Sequence, residues 1–280
     1  QADETTVFVN KDGRPAGSKS YMWLYRTVES VQKEQILLYE YQKTRNSNHP
    51  RTFLKSFHGI CITDGYQVYH TLEQEREDLQ IAGCWAHVRR RYDEALKALP
   101  KEKRNQSTAH RGLVMIQAIY RNEKPLKELS AEERRERRQL SVKPLVEAYF
   151  TWVHATIGQV MPKSKLWEGL NYSINQERYL KVFLENGNVP IDNNASERSI
   201  RSFCIGRKNF VMIDTLHGAA ASAIIYSIAE TAKANGLKPY EYFELLLTEI
   251  PKHLDDDDLN FCEKLLPWSK DLPEKCRKKQ

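Results

Sequence analysis

Gly59-Ile60-Cys61-Ile62-Thr63-Asp64-Gly65 is a short apolar run closed by an Asp-Gly pair. Four consecutive residues able to fill a core, followed by turn chemistry, read as a buried strand with a carboxylate at its end. Working outward from it, Phe53, Leu54 and Phe57 recur at helical spacing on its N-terminal side, within Pro50 to Phe57. On its other side Tyr66 to Leu72 reads as a short helix and Leu79 to Cys84 as a further strand. Upstream, Asp3 to Val9, Tyr21 to Val28 and Gln35 to Tyr41 are β-branched and aromatic runs. The first two are separated by turn residues between Asn10 and Ser20, including Lys11-Asp12-Gly13-Arg14-Pro15. The predicted order is β-β-β-α-β-α-β, an α/β fold with a mixed five-stranded sheet.

From His87 the period becomes helical. Val88, Tyr92, Ala95 and Leu96 share one face, and helical patterning continues for roughly a hundred residues. Ser130 to Arg138 is a charged stretch best read as a solvated helical face with Glu and Arg one turn apart. Leu140 to Met161 and Lys165 to Leu184 are further amphipathic helices, and Asn186-Gly187-Asn188-Val189-Pro190 breaks the pattern. Helix resumes after Asn194, and Ala219 to Asn235 is rich in Ala and Ile, closed by Gly236. Asp255-Asp256-Asp257-Asp258 reads as solvated linker, since adjacent carboxylates repel, and the basic end as a loosely held tail.

The predicted domains are therefore 1–88, the first part of a sheet-containing core; 89–190, an all-α insertion; 191–236, completion of the core; and 237–280, a C-terminal helical extension and tail.

The chain has 280 residues, with 43 Lys plus Arg against 37 Asp plus Glu for a net charge of +6. With 40% hydrophobic residues it can build a sizeable core, which excludes wholesale disorder. No apolar run approaches the ~18 residues of a membrane span, and no secretory signal opens the chain. Five widely spaced cysteines, an odd number, are expected as free thiols in a reducing, cytoplasmic compartment. Because it opens on Gln1 and runs directly into a strand, the chain is expected to be a piece of a longer polypeptide.

Asp3, Asp64 and Glu197 each sit at the edge of an element. Singly, each has a plain explanation: a polar strand start, a turn, and a capping box in Asn194-Ala195-Ser196-Glu197. Jointly, a carboxylate on the first strand, one after the fourth and one on a later helix match the arrangement by which a ribonuclease H-like sheet holds two divalent ions. Phosphodiester cleavage develops charge on the attacking and leaving oxygens. Two Mg²⁺ or Mn²⁺ ions stabilise both, and hard oxygen ligands suit them. Arg198, Arg201, Arg207 and Lys208 beside the third acid, and Arg89 and Arg90 after the fifth strand, are candidate phosphate contacts for DNA.

Cys84-Trp85-Ala86-His87 is a C-x-x-H quartet, which would supply half of a zinc site; no second pair is present, and Cys61, His58 or His70 could complete it only if the fold brings them close. A structural role at the strand end is the simpler reading. No phosphate-binding glycine loop and no G-x-S-x-G nucleophile motif occurs.

Six motifs in order, Ala2-Asp3-Glu4-Thr5, Thr63-Asp64-Gly65-Tyr66, Cys84-Trp85-Ala86-His87-Val88-Arg89-Arg90, Asp192-Asn193-Asn194-Ala195-Ser196-Glu197-Arg198, Gly206-Arg207-Lys208-Asn209 and Thr231-Ala232-Lys233-Ala234-Asn235-Gly236, resemble transposases of the insertion-sequence-66 family. The resemblance runs from Asp3 to about Leu254. It implies a DDE-type, ribonuclease H-like catalytic core interrupted by a helical insertion, with Asp3, Asp64 and Glu197 as the catalytic and metal-binding triad. It further implies two Mg²⁺ (or Mn²⁺) ions, and water and then a DNA 3′-hydroxyl as nucleophiles, for cleavage and strand transfer of a bacterial insertion sequence. Transposon ends and target DNA would be the partners, with a homo-oligomer on DNA, possible accessory proteins and no membrane. Cys84 and His87 resemble a signature with a structural or DNA-end role. Full-length members carry upstream DNA-binding and zinc-ribbon segments. Asp192 is a competing carboxylate near Glu197. A nuclease or resolvase that cuts without joining, and a non-catalytic DNA-binding derivative, are the rival readings.

Overall fold

The computed structural model describes residues 1–15 and 17–279. In chain order the elements are β1 (Ala2–Lys11), β2 (Lys19–Arg26), β3 (Leu37–Gln42), α1 (Asn48–Phe53), β4 (Gly59–Ile62), α2 (Gln67–Gln74), β5 (Leu79–Ala82) and α3 (Trp85–Lys97). They continue with α4 (Thr108–Glu123), α5 (Ala131–Arg137), α6 (Lys143–Ile157), α7 (Lys165–Lys181), α8 (Asn194–Phe210), β6 (Ile213–Thr215), α9 (Leu216–Ala234) and α10 (Pro239–Glu249). Two compact units result, one of residues 46–195 with Gln1, the other of residues 2–45 with the chain from Ser196 onward.

The second unit is built on a four-stranded sheet of order β3-β2-β1-β6. β1 and β2 are antiparallel with Asp3 opposite Leu24 and Thr5 opposite Met22, and β2 and β3 are antiparallel with Leu24 opposite Tyr39. β6 joins parallel to β1, Val9 against Ile213. Alternation along β1 sends Val7 into a core with Met22, Leu24, Leu37 and Tyr39 from the sheet, Ile200 and Phe203 from α8, and Ala223 from α9.

β3 is an edge strand, and α9 covers its open backbone groups. Ser227, Thr231 and Asn235 recur every four residues, so they share one face of α9. Ser227 Oγ accepts from the Tyr39 amide at 2.7 Å. Thr231 Oγ1 both accepts from the Leu37 amide and donates to its carbonyl at 3.0 Å. Asn235 does the same for Gln35, at 3.1 and 2.7 Å. Unpaired strand edges invite pairing with other chains, and this ladder of side chains occupies one. The Thr231 to Gly236 motif is thereby explained: Thr231 and Asn235 bind the edge, and Gly236, at φ +74°, ends the helix in the left-handed region that favours glycine.

The C-terminal segment is pinned rather than loosely held. Leu272 is buried with Ala232, Leu237, Tyr242 and Leu246, and the Lys238 and Lys278 amides bond the Cys276 and Gly236 carbonyls at 2.7 and 2.8 Å. The four aspartates at 255–258 are exposed, as expected for solvated linker.

In the other unit, β4 and β5 form a parallel pair with Cys61 opposite Ile81, crossed over by α2. The single five-stranded sheet expected from the sequence is therefore not the pairing seen. The strands are divided between sheets of four and two, and β6, too short to leave an alternating signature, was not anticipated. The helices α3 to α7 follow, as the periodicity predicted. Their core is aromatic: Trp85, Tyr92, Tyr149 and Phe150 are all nearly inaccessible, and Tyr149 Oη bonds Tyr92 Oη at 3.0 Å and Ser173 Oγ at 2.7 Å. Between α5 and α6, residues Arg138–Val142 form a π-helical turn that turns Arg138 inward, where it meets Glu123 of α4. The guanidinium also donates to the Phe183 and Asn186 carbonyls at 2.6 and 2.9 Å. The charged stretch read as a solvated face thus contributes a buried cation at its last residue.

Candidate nucleic-acid-processing site

Asp3 and Glu197 belong to the sheet unit. Asp3, Thr5 and Val7 share one face of β1, and Val7 packs against α8. The Ser199 carbonyl accepts from Tyr39 Oη at 2.7 Å, and Ser199 Oγ accepts from Arg26 Nη1 at 3.1 Å. Tyr39, Leu24 and Asp3 lie in one cross-strand row. Five residues on, Cys204 Sγ contacts Thr5 Oγ1 at 3.5 Å. Arg207 Nη1 then donates to Thr5 Oγ1 and Thr6 Oγ1 at 3.1 Å and to the Thr6 carbonyl. α8 therefore runs along β1 in the same direction, and Glu197, in its first turn, is delivered to the same end of the helix-covered face as Asp3. Asp3 Oδ1 accepts the Glu4 amide at 2.9 Å, and Glu4 pairs with Arg45.

Asp64, in the helical unit, lies two residues after the end of β4. Its Oδ1 accepts the Tyr66 amide at 2.9 Å, and its carbonyl accepts Tyr172 Oη of α7 at 2.8 Å. Gly65 takes φ +88°, and a Cβ there would lie 2.9 Å from Gln176 Oε1 and 3.0 Å from Tyr172 Oη. The Asp-Gly pair is thus both the predicted turn and a close approach of backbone to α7, which fixes the carboxylate's direction.

Asp192 is fully engaged. Its Oδ1 accepts the Asn194 amide at 3.1 Å, and its Oδ2 accepts Asn194 Nδ2 at 2.8 Å and Tyr120 Oη of α4 at 3.0 Å. Asn194 is the first helical residue, and Asp192 binds both its amide and its side chain at the start of α8. The competing carboxylate is a positioning device for the helix that bears Glu197. Burial and the Asp192 charge both hold the Tyr120 hydroxyl far above its ordinary range, so it remains a donor. Sequence reading missed Tyr120; its signal, a lone tyrosine on a helix face, is indistinguishable from core packing.

Cys84 precedes α3 at the end of the β5 segment and is inaccessible, its Sγ accepting the Asn193 amide at 3.2 Å. Burial pushes its thiol up to about 12, so it is a neutral group. The three residues named above for a zinc set are each engaged elsewhere. His58 binds Asp78 at 2.7 Å, Cys61 is buried in β4, and His70 stacks on Tyr179 at 3.8 Å with its pKa lowered, chiefly by burial. All five cysteines are free of disulfides. Arg198, Arg201 and Lys208 are exposed on α8, as are Arg89 and Arg90 on α3, whereas Arg207 is half-buried against β1. No helix among the described residues is long and apolar enough to cross a membrane.

Comparison with known proteins shows the family. The chain matches the transposase IS66 family over residues 1–221 and the IS66 C-terminal element over residues 227–268. It belongs to the IS66 transposase family. Three similar chains come from Sinorhizobium fredii (strain NBRC 101917 / NGR234). "Uncharacterized protein y4qI" is 28% identical over 96% of this chain and 50% of its own length, and "Uncharacterized protein y4jD" is 27% identical over 82% and 45%. "Uncharacterized protein y4hP" is 26% identical over 82% and 43%. The chain thus spans about half the length of the curated relatives it matches. No solved structure matches it.

Proposed function

We propose that this chain is the catalytic core of a DDE-type transposase, cleaving DNA at the ends of a bacterial insertion sequence and joining those ends to target DNA in the cytoplasm. The observation that carries the reading is the course of α8 along β1, which brings Asp3 and Glu197 to one end of one face, within a chain of the IS66 family. A ribonuclease H-like arrangement in which Asp64 is the third acid is the finer form of this reading. It is supported by the position of Asp64 two residues after the end of β4.

By residue type the proposed set suits a hard divalent cation, since three carboxylates supply only oxygen ligands. Asp3, Asp64 and Glu197 would hold two Mg²⁺ or Mn²⁺ ions, which when bound stabilise charge on the attacking and leaving oxygens of an in-line displacement. The remaining work falls to the protein. Arg198, Arg201, Lys208, Arg89 and Arg90 bind phosphates and set the register of the strand. Arg207, anchored through Nη1 to β1, is a further candidate phosphate contact on α8. Asp192 and Tyr120 keep the start of α8 in place. Water is the first nucleophile and the freed 3′-hydroxyl the second. Joining two ends calls for more than one copy on DNA, with accessory proteins as further candidates.

Asp64→Asn removes a charge while keeping the turn hydrogen bond. Cleavage and strand transfer with Mg²⁺ should fall by about a thousandfold, matching the several kcal/mol that metal-ion stabilisation supplies. Unchanged circular dichroism would accompany that loss. Retained strand transfer in this variant would overturn the triad, and cleavage without any joined product would mark a nuclease instead.

A further inference from the structure

The connection from α8 to β6 carries a feature that the carboxylates do not need. Val211 has φ +63°, and the Met212 amide bonds the Phe210 carbonyl at 2.6 Å, so the chain makes a tight γ-type turn centred on a β-branched residue. Left-handed backbone at valine is costly, and such strain persists where the surroundings impose it. Here both flanks do. Phe210 packs edge-on to the buried Phe203 ring at 6.0 Å, and Ile213 is paired with Val9 in the sheet. What the turn presents is apolar: Val211 is 62% and Met212 52% exposed. Around this tip the charge is positive, with Lys208 exposed one turn earlier and Arg201 and Arg198 further back along α8. The neighbouring acid, Asp214, is neutralised by Lys11 at 2.7 Å.

We propose that Val211 and Met212 form a rigid wedge that enters a base step of DNA and contacts the unstacked bases, while Lys208 and the α8 arginines hold the adjoining phosphates. An apolar side chain flanked by cations suits this ligand: the cost of unstacking a step is offset by apolar contact with the exposed bases and by phosphate neutralisation. Preorganisation by the pinned turn lowers the ordering cost of insertion. The inference rests on the DNA reading above and extends it to a site distinct from the three acids.

The test uses the 280-residue chain and short duplexes bearing 2-aminopurine at a thymine–purine step, the kind most easily unstacked. Binding should raise the fluorescence severalfold at saturation. Val211→Gly removes the side chain and the strain together, so the fold should persist, and Met212→Ser removes only apolar surface. Both should bind with at most a severalfold loss of affinity and abolish the fluorescence rise. Lys208→Gln should instead weaken binding and reduce the salt slope by about one, leaving the rise at saturation intact. Binding by the unaltered chain without a fluorescence rise, or a rise that survives both tip substitutions, overturns the wedge and leaves the DNA reading standing. Failure to bind duplex at low salt overturns the DNA reading itself, and the wedge with it. Light scattering that shows a dimer dissolved by Val211→Gly, with DNA fluorescence unchanged, overturns the wedge in favour of a contact between copies.

Discussion

One site in each unit satisfies buried polar groups, and the two do so in opposite ways. The helical unit commits a full charge: Arg138 enters the core at a π-helical turn and is met by Glu123 and two backbone carbonyls. The sheet unit uses small neutral groups, Ser227, Thr231 and Asn235, spread along one face of α9 to close the edge of β3. One arrangement concentrates its dependence on a single residue, and the other distributes it over three. The difference teaches where each unit should be fragile.

The sharpest break is Arg138→Met. It strands Glu123 as a buried charge and leaves the carbonyls of Phe183 and Asn186 without their donor, at a cost of about 3–5 kcal/mol. Urea unfolding followed by tryptophan fluorescence reads this out, because Trp85 and Trp152 lie in the same unit. The double variant Arg138→Met with Glu123→Leu should recover part of the loss, since no lone charge remains. If the single variant costs less than about 1 kcal/mol, the helical unit is no more concentrated than the sheet unit and the contrast fails.

Next is Gly187→Ala. A Cβ at this position would lie 1.7 Å from the Ala131 carbonyl oxygen, a backbone atom that can yield only by moving the start of α5. A loss of about 1–3 kcal/mol is expected, as for overpacking. Gly206→Ala is its counterpart in the sheet unit. There the Cβ meets the Tyr226 hydroxyl at 2.0 Å, the far end of a half-buried side chain that can swing away, so the loss should be smaller. Equal losses would show that the α8–α9 contact is as unyielding as the loop against α5.

Thr231→Val tests the distributed side. It keeps the shape and removes both bonds to Leu37, leaving a buried amide and carbonyl without partners, for about 1–3 kcal/mol. Thr231→Ser should restore most of it. Because the edge of β3 is then only partly covered, aggregation on mild heating, followed by light scattering, should rise in Thr231→Val and not in Thr231→Ser.

Which parts of this were legible in the sequence follows from the range of the forces involved. The strands β1 to β5 and the helices α3 to α7 announced themselves because hydrophobic period is a local property. How the strands pair was not legible: a four-residue apolar run such as Gly59–Ile62 carries no mark of its partner, and β6 is too short to show alternation. At the candidate site, the acids at element edges were readable as residue types in context. The roles of Asp192, Cys84 and Arg207 were not, because each is set by a partner far away in sequence: Tyr120, Asn193 and Thr5. The same holds for Arg138, whose neighbours in sequence describe a solvated helix.

The smallest expected effect bears on how the two kinds of polar device differ in function rather than in stability. Tyr120→Phe deletes one hydroxyl from the Asp192 carboxylate, which keeps its two bonds to Asn194. The stability cost should be near 1 kcal/mol, the ordinary worth of one hydrogen bond, somewhat more because the acceptor is charged. On the proposed function, Tyr120 acts through Asp192 on Asn194 at the start of α8, so its loss should bear on the helix that carries Glu197 and leave the proposed phosphate contacts unaltered. The expected kinetic signature is a several-fold fall in the rate of strand cleavage with DNA affinity unchanged, and a greater need for divalent cation. Asp192→Asn, which keeps an oxygen for the Asn194 amide but removes the charge, should show the same signature more strongly. Should Tyr120→Phe lower DNA affinity and leave the cation requirement alone, the tyrosine would belong to the binding surface and not to the support of α8.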